Sequence, residues 1–371
     1  VQGYNLNSGF AFTTFNEENG KYTRLKSTFN YGFAEDRLRV LGNFIHRFNT
    51  QNYATLSVSG GTTVSQFNEN EPISKLINSV STLFFKNNFM KLYNKEFAKI
   101  AFGQDVANGI YLAAGIEYEQ RKNLFNNTDF VIIKNDDLFS SNNPILPDDY
   151  LTPTFATHHL MKANIGARIN FGQKYISRPD RKLNIRNSKY PTLYFNVEKA
   201  FAASEKNYEF EQVSGRVSYN KVLGNKGTFS TNLKGGKFFN AEGISFIDFQ
   251  HFNGNQTHIG TSGSYMNVFN LMPYYKNSTN DSYFEMHAEH NFEGFVMNKI
   301  PLLNKLNTTL IVGFHNLAVP DRKPYQEFSV GLDRLGFGKF KLLRVDYVRS
   351  YQNGFVGDGV VFGLKFLEIF D

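Results

Sequence analysis

The best metal-like spacing in the chain is His287-Ala-Glu-His290. On a helix, histidines three apart share a face and suit zinc, whereas on a strand they point to opposite sides. Around them Phe284, Met286 and Ala288 alternate with Glu285, His287 and Glu289. That period of two is strand-like, so His287 sits beside Glu285 and Glu289 and His290 faces away. His158 and His159 separate in the same way. Gly260-Thr-Ser-Gly-Ser264 misses the Gly-x-Ser-x-Gly spacing of a nucleophile elbow. Gly336-Phe-Gly-Lys339 lacks the spacing of a phosphate loop and reads as a turn. A Ser-His hydrolase has its raw materials, yet no set of them is spaced for catalysis. With no cysteine at all, disulfides, thiol nucleophiles, Cys-ligated zinc and iron–sulfur clusters are absent together. The sequence predicts no enzymatic chemistry and implies no cofactor.

The elements that position these residues carry the stronger signal. From Leu160 to Phe171, Met161, Ala163, Ile165, Ala167 and Ile169 alternate with Lys162, Asn164, Gly166, Arg168 and Asn170. The same twofold period runs through residues 110–119, 193–198, 212–219, 284–289 and 343–347. A soluble sandwich also alternates, but its strands average five or six residues. Here the period holds for roughly 9–12 residues, the length a tilted strand needs to cross a bilayer.

Composition agrees. Aromatic residues make up 16% of the 371, with 39 Phe, 20 Tyr and no Trp, and charged residues are 20%. A disordered chain needs few aromatics and high net charge, so disorder is excluded. No uncharged apolar run of 18 residues exists for a transmembrane helix. The net charge is +7, but Lys and Arg read as spread along the chain without a dense basic block, so nucleic acid is not a partner. The chain starts at Val1 without a leader pattern, which fits a mature protein or a barrel cut from a longer chain.

Strands are expected near residues 4–15, 21–33, 37–48, 53–64, 96–103, 108–120, 160–171, 191–201, 208–219, 227–237, 282–292, 307–317, 325–333, 339–351 and 360–370. Single-chain bacterial barrels take even numbers. A further strand is therefore placed in Asn78 to Phe89, a stretch that also suits an amphipathic interfacial helix through Ile73, Leu76, Ile77 and Val80. The expected fold class is all-β: an antiparallel transmembrane β-barrel of about sixteen strands, with fourteen as the alternative. Both chain ends and the tight connections Ala34–Arg37, Gln104–Asn108, Val222–Gly227 and Leu335–Lys339 then fall on the periplasmic side. The long segments 121–157 and 238–281 fall outside.

Several stretches resemble a Bacteroidota outer-membrane family of uncharacterised function, whose long members begin with a carboxypeptidase-regulatory-like domain. They are Asn291-Phe-Glu-Gly-Phe-Val-Met-Asn-Lys-Ile-Pro-Leu-Leu-Asn-Lys-Leu306, Glu71-Pro-Ile-Ser-Lys-Leu-Ile-Asn78, Asn88-Phe-Met-Lys-Leu-Tyr93, Gly172-Gln-Lys-Tyr175 with Ser188-Lys-Tyr-Pro191, and Lys341-Leu-Leu-Arg-Val-Asp346. More distantly, the arrangement is similar to the sixteen-stranded barrels of the outer-membrane assembly and two-partner-secretion superfamily. In those barrels a long loop folds back into the lumen, with an Arg-Gly pair at its tip. Segment 238–281 holds the equivalent position, with Gly243, Phe246, Asp248, Gly254 and Asn255 as candidate lumenal residues, but it contains no Arg.

The candidate lumen lining is Arg24, Arg39, Glu117, Lys162, Arg168, Glu198, Arg216, Lys234, Glu285, Glu289, Arg344 and Asp346. Two readings stand: a mutually paired interior that simply closes a barrel, or a slightly cationic pore or seat for a plugging loop. The resemblance implies the bacterial outer membrane, with its lipid and lipopolysaccharide and with periplasmic domains or other envelope proteins as partners. One function is protein assembly or translocation through a weak seam between first and last strands. The last strand places Val360, Phe362, Leu364, Phe366 and Phe370 on one face, interrupted by Glu368, with Asp371 beyond. The other is a gated channel or small-molecule receptor.

Overall fold

The computed structural model describes residues 2–16, 19–133, 138–179, 181–185, 189–260, 265–338 and 340–364. Thr261, Ser262, Gly263 and Ser264 of the Gly-Thr-Ser-Gly-Ser run lie outside that set, as do Lys339, Phe366, Glu368, Phe370 and Asp371. In chain order the strands are β1 (Asn5–Phe15), β2 (Tyr22–Gly32), β3 (Arg37–Arg47), β4 (Thr55–Gln66), β5 (Leu92–Ala107), β6 (Ile110–Asn123) and β7 (His158–Asn170), then the short β8 (Lys174–Ser177) and β9 (Lys182–Ile185). They continue with β10 (Thr192–Phe201), β11 (Phe210–Val222), β12 (Thr228–Phe239), β13 (Ile259–Gly260), β14 (Ser282–Asn291), β15 (Thr309–Ala318), β16 (Tyr325–Phe337), β17 (Phe340–Tyr351) and β18 (Phe355–Leu364). Sixteen of them form one sheet in the order β1-β2-β3-β4-β5-β6-β7-β10-β11-β12-β14-β15-β16-β17-β18-β13, while β8 and β9 pair alone.

The fifteen strands expected from periodicity are all present. The sixteenth is not where sequence parity put it. Residues 75–85 form a helix, α1 (Lys75–Phe85), not a strand. Ser74 caps it, its Oγ accepting from the Ile77 N–H at 3.5 Å, and Lys86 closes it in the left-handed region. Leu76, Val80 and Phe84 recur about one turn apart on its exposed side. The sixteenth strand is instead β13, inside the long segment before β14.

The chain divides into two compact units, one comprising Val1–Glu69, Met90–Gly215 and Phe238–Phe249, the other Asn70–Phe89, Arg216–Lys237 and Gln250–Asp371. In the first, strands pair antiparallel without interruption from β1 to β7 and on to β10. Counting hairpins through it puts the β2–β3 turn at the same strand ends as the 124–157 connection. This corrects the assignment of Ala34–Arg37 to the side of Gln104–Asn108: the expectation rested on the strand that is α1. The β5–β6 turn is the two-residue Asn108-Gly109, with Gly109 at φ +80°, the Asn-Gly chemistry a tight hairpin asks for. A side chain there would stand 2.3 Å from the Asn170 carbonyl.

Cross-strand partners share a face, so the registers can be read as rows. One row in the first unit runs Phe12, Leu25, Phe44, Val58, Ile100, Ile116 and Ala163. On the opposite face Lys26, Asn43, Ser59, Lys99, Glu117 and Lys162 are aligned. In the second unit His287, His315, Glu327 and Ser350 form the polar row, and His290, Val312, Val330, Tyr347 and Val360 the other.

Exposure is inverted relative to a water-soluble protein. Glu327, Arg121 and Asp346 are 0–1% exposed, while Phe12, Ile165 and Val330 are 64%, 63% and 54% exposed. Water favours the reverse, and a bilayer around the apolar face favours this. Strands of 10–16 residues with that inversion place the fold among transmembrane β-barrels. No helix of the described residues is long and apolar enough to cross a membrane.

Candidate functional site: the buried polar face and the long segment seated on it

In the first unit β5, β6 and β7 bring cations and carboxylates onto one face at alternate positions. Lys95 bridges Glu117 at 2.7 Å and Glu119 at 3.0 Å, and Lys99 reaches Glu117 at 2.8 Å. Arg121 gives its Nε to Glu119 at 2.8 Å. Its other two nitrogens are answered from another part of the chain. The one-turn helix Phe246–Asp248, near the start of the segment that follows β12, places both Asp248 oxygens on Arg121, at 2.5 and 2.9 Å. Lys162 donates to the same carboxylate at 2.9 Å and lies 3.4 Å from Glu198 and 3.5 Å from Glu69. Asp248 is completely buried at its side chain and Arg121 nearly so. Burial would push the Asp248 carboxyl up, but Arg121 and Lys162 outweigh it and hold the group down at about 2. The turn is also held by apolar contact, with Ile244 and Ile247 buried and the Phe246 ring 6.4 Å from Phe67.

The second unit repeats the arrangement with different chemistry. Glu327 accepts from the Asn270 and Leu271 N–H groups at 2.6 and 2.8 Å and from the Tyr325 hydroxyl at 2.8 Å. Beside it Phe269, wholly buried, packs 4.8 Å from the His287 ring. The Tyr265 hydroxyl donates to Asp346 at 2.6 Å, its ring 4.1 Å beneath the Arg344 guanidinium, which reaches Asp346 and Glu289 at 2.7 Å each. Burial and the Asp346 charge push the Tyr265 hydroxyl far above its usual range.

Ahead of Tyr265 the chain makes an organised turn. Asn255 Oδ1 accepts from the Thr257 and His258 N–H groups at 3.0 and 3.1 Å, and its Nδ2 donates to the Ile259 carbonyl at 3.2 Å. Gly254 is required because a Cβ would lie 2.4 Å from the Met272 carbonyl. This turn delivers β13 to the edge of β18, in parallel, with Ile259 opposite Phe362 and Gly260 opposite Gly363. The Phe362 N–H donates to the His258 carbonyl at 2.9 Å. In each unit, then, part of segment 238–281 rests on the polar face.

Of the residues singled out from sequence, Glu117, Lys162 and Glu198 enter the first network and Glu285, Glu289, Arg344 and Asp346 the second. Arg39 is buried elsewhere in the first unit, paired with Glu35 and donating to Asn94 Oδ1 at 3.0 Å. Arg24 is exposed, 3.3 Å from Thr13 Oγ1, and Arg168 lies 5.0 Å over the Tyr111 ring. Lys234 donates to Gln250 at 3.3 Å, and Arg216 is exposed on β11. In the long segment Phe246, Asp248, Gly254 and Asn255 take part, while Gly243 is exposed beside Asn207.

His287 is buried with Glu285, its Nε2 at 2.9 Å from Oε1, but its Nδ1 meets His315 Nδ1 at 2.7 Å. Both ring nitrogens are occupied by protein, and among the described residues no three His, Asp or Glu are placed to hold a metal ion. His290 faces away and bonds the Lys226 carbonyl at 3.0 Å. Sequence reading missed Arg121, Glu119, Lys95, Glu327, His315 and Tyr265. The first three share parity with Glu117, a signal that was available; the others depend on register or on a loop.

A family model described as the C-terminal domain of a family of unknown function, DUF5686, matches residues 1–332. The chain belongs to that family. Among curated protein sequences none matches this member. Among solved structures, this DUF5686 chain is similar to BamA from Haemophilus ducreyi lacking POTRA domains 1–3, at 12% identity and a TM-score of 0.48, covering 97% of this chain and 69% of that one. It is also similar to CdiB from Acinetobacter baumannii, at 10% identity and a TM-score of 0.42, covering 96% and 58%. A mutant porin from Rh. blastica shows 11% identity and a TM-score of 0.35, covering 96% and 88%.

Proposed function

We propose that this DUF5686 domain is a bacterial outer-membrane barrel that assembles polypeptide into the membrane or moves it across, working at the edge of its last strand. The observation that carries this reading is the β13–β18 pair. On one side β18 is held by β17 over a long antiparallel ladder from Leu343↔Leu364 to Tyr351↔Phe355. On its other edge the only pairing among the described residues is two positions long, parallel, and supplied by the chain's own long segment. Parallel pairing is the weaker kind per residue, and an edge so lightly covered is a template for strand addition. Outer-membrane lipid, lipopolysaccharide and periplasmic domains are the proposed surroundings, and the Bacteroidota resemblance of Asn298-Lys-Ile-Pro-Leu-Leu303 is taken as the family's provenance.

A covalent tether and a depletion address it together. Ile259→Cys with Phe362→Cys, in a chain that has no other cysteine, tethers β13 to β18 when oxidised. Depleting the protein in its host and quantifying the outer-membrane proteome identifies clients. An assembly role predicts that specific β-barrel proteins fall and that only the reduced double variant restores them. An unchanged proteome refutes it.

A second reading is a channel whose opening is restricted by segment 238–281. It is supported by the Asp248 anchor on Arg121 and Lys162, which seats the segment on the polar face. This domain would then show small single-channel steps in planar bilayers that grow when residues 243–262 are deleted.

A further inference from the structure

The connection between β7 and β10, residues 171–191, carries six cations, Lys174, Arg178, Arg181, Lys182, Arg186 and Lys189, against a single acid, Asp180. That is a formal +5 within a chain whose whole net charge is +7. The basic character that looked dispersed is therefore concentrated in one inter-strand connection. β8 and β9 pair through Tyr175↔Asn184 and Ile176↔Leu183, so Tyr175, Asn184, Ser177 and Lys182 share one face and Lys174, Ile176, Leu183 and Ile185 the other.

The first face is tied to the neighbouring strand ends through Lys182 and Asn184, although Tyr175 stays 47% exposed. Lys182 Nζ lies 3.6 Å from Asp105, Asn184 Nδ2 3.5 Å from the same carboxylate, and the Lys182 ammonium 4.8 Å over the Tyr175 ring. The Lys182 N–H also reaches the Thr50 carbonyl at 3.4 Å, and its carbonyl accepts from the Tyr53 hydroxyl. Asp105 pairs with Tyr111, which is aligned with Arg168, so the hairpin leans over the end of the polar face. The second face looks away from the strand ends, with Ile176, Leu183 and Ile185 at 51%, 37% and 43% exposed. Among the described residues no further strand joins β8.

An isolated two-stranded hairpin with an apolar outer face is marginal in water, and native proteins leave such edges open mainly where something adds to them. The charge fixes what that is. We propose that the outer face and free edge of β8 dock an acidic, extended polypeptide segment that carries both carboxylates and apolar side chains on the one face it turns to the hairpin. Its carboxylates would meet Lys174 and Arg178, and its apolar side chains would cover Ile176, Leu183 and Ile185. A lipid surface fits less well, because Lys182 and Asn184 tie the hairpin to Asp105 on the polar side of β5. This docking does not depend on the β18 edge.

The test uses the whole chain in zwitterionic nanodiscs and a fluorescein-labelled octapeptide, Glu-Ser-Val-Ser repeated twice, which turns Glu and Val to one face, followed by anisotropy. Saturable binding is expected, absent for the same peptide with Lys in place of Glu. The variant Lys174→Glu with Arg178→Glu leaves the Asp105 contacts untouched and should weaken binding by about tenfold or more; Ile176→Asp should weaken it as well. No binding to the wild type, or equal binding to the charge-reversed variant, overturns the proposal. Ile176→Cys carrying an environment-sensitive dye reports the lipid alternative: a blue shift on moving to anionic nanodiscs, with no peptide binding, overturns it too.

Discussion

Replacing Asp248 by Asn is the sharpest perturbation of the first unit. It keeps the shape of the side chain but removes the charge that answers Arg121 at 2.5 and 2.9 Å and Lys162 at 2.9 Å. Arg121 keeps only Glu119, and Lys162 keeps contacts of 3.4 and 3.5 Å. Breaking one partner out of a buried pair costs about 3–5 kcal/mol, because the cations stay buried without it. Titration samples a smaller quantity. A carboxyl held at about 2 instead of 3.8 corresponds to about 2 kcal/mol, since burial already opposes the charge. The two differ because Asn also turns an amide donor toward the guanidinium. The sign follows from the depressed folded value: the anchor is fully present above pH 4 and is lost as pH falls toward about 2. Asp248→Asn should therefore lower the temperature at which the protein loses heat-modifiable migration on gels, expose residues 243–249 to protease, and raise bilayer conductance at pH 7. Unchanged melting and proteolysis would falsify the claim that this carboxylate seats the segment.

Ile165, 63% exposed in the apolar row side of β7, should cost about 2–4 kcal/mol as Ile165→Arg at mid-membrane depth, whereas Asn164→Arg should be tolerated; urea titration in vesicles compares them, and the reverse order would mean the faces are inverted. Lys91 donates to Ser140 Oγ and the Ser141 carbonyl at 2.6 Å each, and burial lowers its ammonium to about 8. As a base with a depressed folded value it should make the protein more stable between pH 8 and about 10.5, a slope that thermal melts should show in the wild type and not in Lys91→Met. Phe269→Ala removes a fully buried ring from His287 and Tyr325 and should destabilise by about 3–5 kcal/mol; a melting point within error of wild type would show that this part of the segment is not load-carrying for stability.

The fifteen long strands were legible because alternation over ten residues survives any context: β7 was readable from Met161, Ile165 and Ile169 alone. The sixteenth was not. Ile73, Leu76, Ile77 and Val80 carry the helical period, but the rule of even strand numbers put a strand beside them, while Ser74 as a cap pointed to the helix. Site residues split along the same line. Glu117, Lys162, Glu289 and Asp346 follow from parity within a strand. Asp248 is a candidate lumenal residue from sequence, but its partners Arg121 and Lys162 lie more than eighty residues earlier, and only register brings them to one place. The basic hairpin was missed because residues 171–191 have no motif, only a local excess of charge.

The β13–β18 contact also sets an order of events. Ile259 meets Phe362 across roughly a hundred residues of intervening chain, a closure that no local propensity assists. β18 is the last strand of the described chain to emerge, so this pair cannot form until every other strand has been made. Tyr265, bonded to Asp346 on β17, gains Gly363 beneath its ring only then. The segment thus carries a completion mark: Phe269, Asn270 and Leu271 can seat on β14 and β16 as soon as those strands are made, whereas Ile259 and Gly260 find a partner edge only when β18 arrives.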